Sequence, residues 1–114
     1  MNMIKIYHNP RCRKSREALN LLKEKGDVKV IEYMTQDIDK ESLKKAIAYT
    51  GLKPSELVRK NEAVFKEFYK GKELSQDEWL EAFINEPKLL ERPIVIKDNK
   101  GVLGRPPENV LKLF

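Results

Sequence analysis

One cysteine, one histidine and one tryptophan are all that 114 residues contain of these types. With a single thiol no internal disulfide can form, which excludes the cross-linked framework of many small secreted domains. A lone His and a lone Cys without ligand-spaced partners do not make a zinc site, so no metal and no bound cofactor is expected. No apolar run approaches the roughly 20 residues that cross a bilayer. The chain also enters "MIKIY" directly, with no charged-then-apolar leader pattern. These absences predict a cytoplasmic protein of a reducing compartment, away from membranes. Repeats and low-complexity linkers are missing too.

What is present is an ordinary globular balance, 40% hydrophobic and 36% charged, in a chain long enough to bury a core. The net charge is +5, but the lysines are spread along the chain and interleaved with Glu and Asp. That pattern reads as solvated helix faces, not as a basic stripe for nucleic acid.

Apolar periodicity orders the elements. "MIKIY" (Met3 to Tyr7) alternates like a strand; after "HNP", Ala18, Leu19 and Leu22 recur at helical spacing until Gly26. "VKVIEY" (Val28 to Tyr33) is a second strand, so the first two pair in parallel through a right-handed crossover. Helical stripes follow at Leu43, Ala46 and Ile47, at Val64, Phe65 and Phe68, and at Trp79, Leu80, Phe83 and Ile84. These apolar and aromatic stripes are assigned to the core. Ser75 and Glu78 have capping-box spacing before the last of them. "IVIK" (Ile94 to Lys97), the turn "DNKG" and "VLG" (Val102 to Gly104) form a hairpin, and "RPPENVLKLF" restarts a helix at its prolines. The expected fold class is α/β: one thioredoxin-like βαβ…ββα domain over residues 1–114, with a helical insertion at about 38–88.

The only cysteine sits in "HNPRCRKSREAL", at a helix start, with Arg11, Arg13, Lys14 and Arg16 around it. A helix N-terminus offers unpaired N–H groups and the positive end of a dipole, which lower a thiol pKa; nearby cations add to this unless solvent screens them. Cys12 is therefore a candidate nucleophile, and its alternative is a small buried hydrophobe. Ser15 completes a CxxS motif where a two-thiol redox protein would have its second cysteine. Its hydroxyl could donate to the thiolate or to a bound oxyanion, or help to satisfy first-turn amides. Arginine is the rarer cation, 6 against 17 lysines. Three of the six flank Cys12, and Arg59, Arg92 and Arg105 lie at element edges. Planar forks that donate in pairs suit a tetrahedral oxyanion; the alternative is ordinary surface ion pairing. The scattered acidic residues read as solvated helix faces.

"HNPRCRKSR", "LVRKN", "LLERPIVI" and "GRPPE" together resemble the glutaredoxin-dependent arsenate reductase family, a branch shared with the Spx regulators, over essentially the whole chain. The resemblance implies an oxidoreductase in which Cys12 attacks arsenate held by Arg59, Arg92 and Arg105. Glutathione then acts as cosubstrate, and glutaredoxin clears the mixed disulfide. It implies that His8 holds or promotes the thiolate, against a plain loop histidine, and that Pro93 is a cis-proline lying against the thiol, against a trans proline at a strand start. Two other readings stay open. One is an Spx-like regulator that binds RNA polymerase, for which Ser15 removes the usual redox switch. The other is a general glutathione-linked single-thiol oxidoreductase without arsenate activity.

Overall fold

The computed structural model describes residues 3–114, so Met1 and Asn2 of the expected 1–114 unit lie outside the described residues. Along the chain run β1 (Ile4–Tyr7), α1 (Arg13–Lys23), β2 (Val28–Ile31), α2 (Lys40–Thr50), α3 (Ala63–Phe68), α4 (Gln76–Asn85), β3 (Ile94–Lys97) and β4 (Lys100–Leu103). Short 3-10 segments lie at Pro54–Leu57, Pro87–Leu89 and Pro107–Leu113. The sheet order is β2-β1-β3-β4, with β1 parallel to β2 and antiparallel to β3, and β4 antiparallel to β3. No helix among the described residues is long and apolar enough to cross a membrane.

Alternation along the strands builds two cores. Ile4 and Ile6 of β1 and Val95 of β3 pack with Ala18 and Leu22 of α1 and with Val110 and Leu113 of the last segment. Tyr7, Ile94 and Ile96 point to the other face, where α2 and α4 contribute Leu43, Ile47, Leu80 and Phe83. Each fully buried aliphatic side chain contributes roughly 1.5–3 kcal/mol. The helices begin and end where local chemistry requires. The Asp39 side chain accepts the Ser42 amide at 3.2 Å, α2 ends at Gly51 with φ +77°, and Ser75 and Glu78 form the expected capping box on α4.

Four sequence expectations need correction. The second strand stops at Ile31, because the chain turns and the Tyr33 amide donates back to the Ile31 carbonyl at 3.0 Å. The hairpin turns tightly through Asp98 (φ +56°) and Asn99, so the fourth strand is Lys100–Leu103, not 102–104. The terminal helix is a 3-10 segment that still buries Val110 and Leu113. Phe68 is 56% exposed and leaves the core, since the short α3 ends there, while Phe65 and Phe83 stack on Trp79.

Candidate active site

The loop from β1 to α1 is organised by Asn9, which sequence reasoning passed over as part of a turn. Its carbonyl accepts the Cys12 amide at 3.0 Å, its side chain accepts the Arg11 amide at 3.0 Å, and its own amide donates to the Ser15 hydroxyl at 3.1 Å. An Asn before Pro in a turn is the sequence signal for such backbone mimicry. This loop leaves Cys12 as the N-cap residue of α1, half-buried, with no side-chain cap of its own.

Burial pushes the Cys12 thiol up, but the Ser15 amide, the Arg92 guanidinium and the Lys14 amide outweigh it and hold the thiol below its ordinary value. The basic neighbours in sequence face solvent instead. Arg13 pairs with Glu17 at 3.0 Å, Arg16 donates to the Pro10 carbonyl at 2.9 Å, and Arg11 and Lys14 are exposed. At the helix end the amides act on the sulfur, and the cations near it come from far along the chain.

Ser15 is fully buried, and its hydroxyl lies 2.6 Å from His8 Nδ1. That hydroxyl is engaged there and with the Asn9 amide, and what Ser15 offers the sulfur is its backbone amide. His8 is buried at the exit of β1, its amide donating to the Ile31 carbonyl at 2.9 Å. Burial lowers its pKa, opposed by Glu32 and aided by Lys23 and Arg16, so the imidazole is neutral near pH 7. The structure thus couples His8 to Ser15 within the loop.

The three arginines arrive from separate elements. Arg105 Nη1 lies 3.7 Å from Cys12 Sγ and 3.4 Å from the Arg92 carbonyl oxygen, to which it donates. Asn109 fastens that loop by donating to the Arg105 carbonyl at 3.1 Å. Arg92 precedes β3; the Arg92–Pro93 peptide is cis, and so is Arg105–Pro106, which the sequence did not signal. Gly104 makes the two loops touch, since its amide donates to the Pro93 carbonyl at 2.8 Å and a Cβ there would meet Pro93 Cγ at 2.9 Å. Arg59 is carried in by a bridge between Val58 and Leu90. Its Nη1 pairs with Glu91 at 3.2 Å, so Glu91 is not on a solvated helix face but steers an arginine.

Several buried polar atoms here have no well-placed hydrogen-bond partner among the described residues: Arg59 Nε, Arg92 Nε and Nη1, and the Tyr33 hydroxyl. Buried donors without partners are costly, so this unspent hydrogen-bonding capacity points to a ligand. Tyr33 is a site residue that sequence reasoning placed only in a strand. A cleft of about 430 Å³ opens alongside, with Asn9, Arg11, Glu32, Lys88 and Arg92 on its walls. Chemically, a thiolate at a helix start can attack an electrophile whose negative oxygens the arginine forks receive.

The sheet order and the thiol between β1 and α1, with a cis-proline loop leading into β3, define a thioredoxin-like thiol protein. Comparison with known proteins narrows this further. The ArsC family model matches residues 7–113, and the chain belongs to that family. It is 43% identical over 113 residues to the uncharacterized protein YfgD of Escherichia coli, covering 96% of this chain and 95% of that one. To an arsenate reductase of Neisseria meningitidis it is 41% identical, covering 96% and 97%. The solved arsenate reductase from Vibrio cholerae superimposes with a TM-score of 0.90 at 40% identity, covering 98% of each chain.

Proposed function

We propose that the protein is an arsenate reductase in which Cys12 is the nucleophile and Arg59, Arg92 and Arg105 hold the substrate. The observation that carries this reading is the half-buried thiol, held below its ordinary pKa, beside buried arginine N–H groups left without a partner among the described residues. Cys12 thiolate attacks the arsenic of the dihydrogen arsenate anion; an As–O bond breaks, one proton is taken up, and water leaves, giving a singly charged thiol-arsenate ester on Cys12 Sγ. The guanidinium groups and first-turn amides stabilise the charged oxygens as the S–As bond forms. His8 and Ser15 act as positioning residues that fix the loop holding Cys12.

The chain has no second thiol to displace the arsenic. Glutathione therefore attacks Cys12 Sγ, the S–As bond breaks, and its electron pair leaves with arsenic as arsenite, which takes up the proton of the glutathione thiol. Arsenic is reduced by two electrons, and the two sulfurs are oxidised to a mixed disulfide. Glutaredoxin, with glutathione, returns Cys12 to the thiol in a reducing cytoplasm. The cleft bordered by Arg11, Lys88, Glu32 and Glu62 has charges of both signs and so suits a zwitterionic thiol peptide.

The test follows NADPH consumption with arsenate, glutathione, glutaredoxin and glutathione reductase. Arsenate-dependent consumption is expected from the protein and not from Cys12→Ser. Consumption independent of arsenate, or equal in the variant, would overturn the assignment. Turnover of a glutathionylated peptide without arsenate would support a general thiol oxidoreductase instead.

A further inference from the structure

Tyr33 is the buried polar group that this mechanism leaves unused. It is 3% exposed, and its hydroxyl makes no hydrogen bond of good geometry among the described residues, although the Arg92 guanidinium is near enough to oppose the rise in its pKa. A phenol placed only to fill a core would do so better as phenylalanine, because an unpaired buried hydroxyl costs free energy.

Backbone geometry ties Tyr33 to the nucleophile loop. The Ile31 carbonyl accepts both the His8 amide at 2.9 Å and the Tyr33 amide at 3.0 Å, so one oxygen fixes the exit of β1 and the turn after β2. The turn ends the strand two residues early and sends the Tyr33 ring inward, into the core with Leu57, Val58 and Leu90, the segments that carry Arg59 and Arg92. Tyr33 OH, Arg59 Nε and Arg92 Nε and Nη1 are thus buried polar atoms of one neighbourhood, none with a well-placed hydrogen-bond partner among the described residues.

The geometry points to Tyr33 as a further oxyanion-binding side chain, its hydroxyl donating to an oxygen of the tetrahedral anion that Arg59 and Arg92 hold. This rests on the arsenate-reductase reading above. Burial holds the phenol at about 12, opposed by Arg92 and Arg59 and aided by Cys12, so the group stays a neutral donor at any working pH. A neutral donor adds a directed bond where further cations would only add charge.

The experiment measures how strongly arsenate, in the absence of glutathione, protects Cys12 from alkylation by iodoacetamide, in the protein and in Tyr33→Phe. Loss of one hydrogen bond to a charged oxygen should raise the arsenate concentration for half-protection about tenfold. The thermal midpoint of Tyr33→Phe should be unchanged or higher, because the variant removes an unpaired hydroxyl without changing ring volume; this also confirms that the variant folds. Equal half-protection in the two proteins would overturn the role of Tyr33 and leave the arsenate reading intact. No protection of the unaltered protein at any arsenate concentration would overturn that reading, and Tyr33's role with it.

Discussion

Replacing Ser15 by alanine separates the structural use of this residue from any chemical one. The hydroxyl is fully buried, 2.6 Å from His8 Nδ1 and 3.1 Å from the Asn9 amide nitrogen. Its removal leaves two buried polar groups unpaired, at roughly 1–3 kcal/mol each, or about 2–4 kcal/mol together once some relaxation is allowed. In a domain of this size about 1 kcal/mol moves the thermal midpoint by roughly 4 °C, so a fall of about 8–16 °C is expected. The backbone amide that lowers the Cys12 pKa survives the substitution. Turnover below the melting range should therefore stay within a few-fold of the unaltered protein. Calorimetry together with the coupled assay measures both. A midpoint lowered by less than about 3 °C, or a well-folded variant whose turnover falls about 100-fold, would refute the division between a structural hydroxyl and a functional amide.

Three other outcomes follow from the same site. The iodoacetamide reactivity of Cys12 should titrate below the range of a free thiol and move upward in Arg92→Gln, which removes one of the two guanidinium groups near the sulfur; an unmoved titration would show that the amides and Arg105 suffice without Arg92. Gly104→Ala should destabilise by roughly 1–3 kcal/mol in urea melts, since the new methyl would meet Pro93 Cγ at 2.9 Å and Val110 Cγ1 at 3.2 Å; an unchanged midpoint would mean that these loops yield freely. His8 has a lowered pKa in the folded state, so the unfolded chain takes up the proton first as pH falls. Stability should be full above about 6.5 and decline below it, and His8→Gln should flatten that decline; an identical slope in the variant would assign it to other groups.

Local signals carried much of this molecule. Periodicity placed β1, α1 and β3 to within a residue or two, Ser75 and Glu78 announced the start of α4, and the helix-end position of Cys12 was visible from "HNPRCRKS". Long-range features were not. The sequence surrounds Cys12 with cations, yet these point to solvent while Arg92 and Arg105, from far along the chain, come to the sulfur. Tyr33 reads as the last residue of a strand, and only the turn at Ile31 makes it a buried donor near arginines. Glu91 looks like any acidic surface residue until the Val58–Leu90 bridge sets it against Arg59. Each of these depends on which segments meet, which one-dimensional spacing does not encode. Phe68 fails for a different reason: α3 ends at that residue, and its ring stays exposed while Phe65 of the same stripe packs on Trp79.

The strand order has a consequence for how the thiol comes into being. β1 is finished by residue 7, but its antiparallel neighbour β3 begins only at residue 94, and Arg105 comes after that. A chain emerging from the ribosome thus carries Cys12 through most of its synthesis without Arg92 or Arg105 beside it. Pairing across so long a loop is slow compared with forming the helices between. Until β3 inserts beside β1, the cysteine lacks the Arg92 guanidinium that favours its charged form and the Arg105 side chain that lies 3.7 Å from its sulfur. Completion of the sheet is therefore the step that adds Arg92's effect on the thiol to that of the local amides.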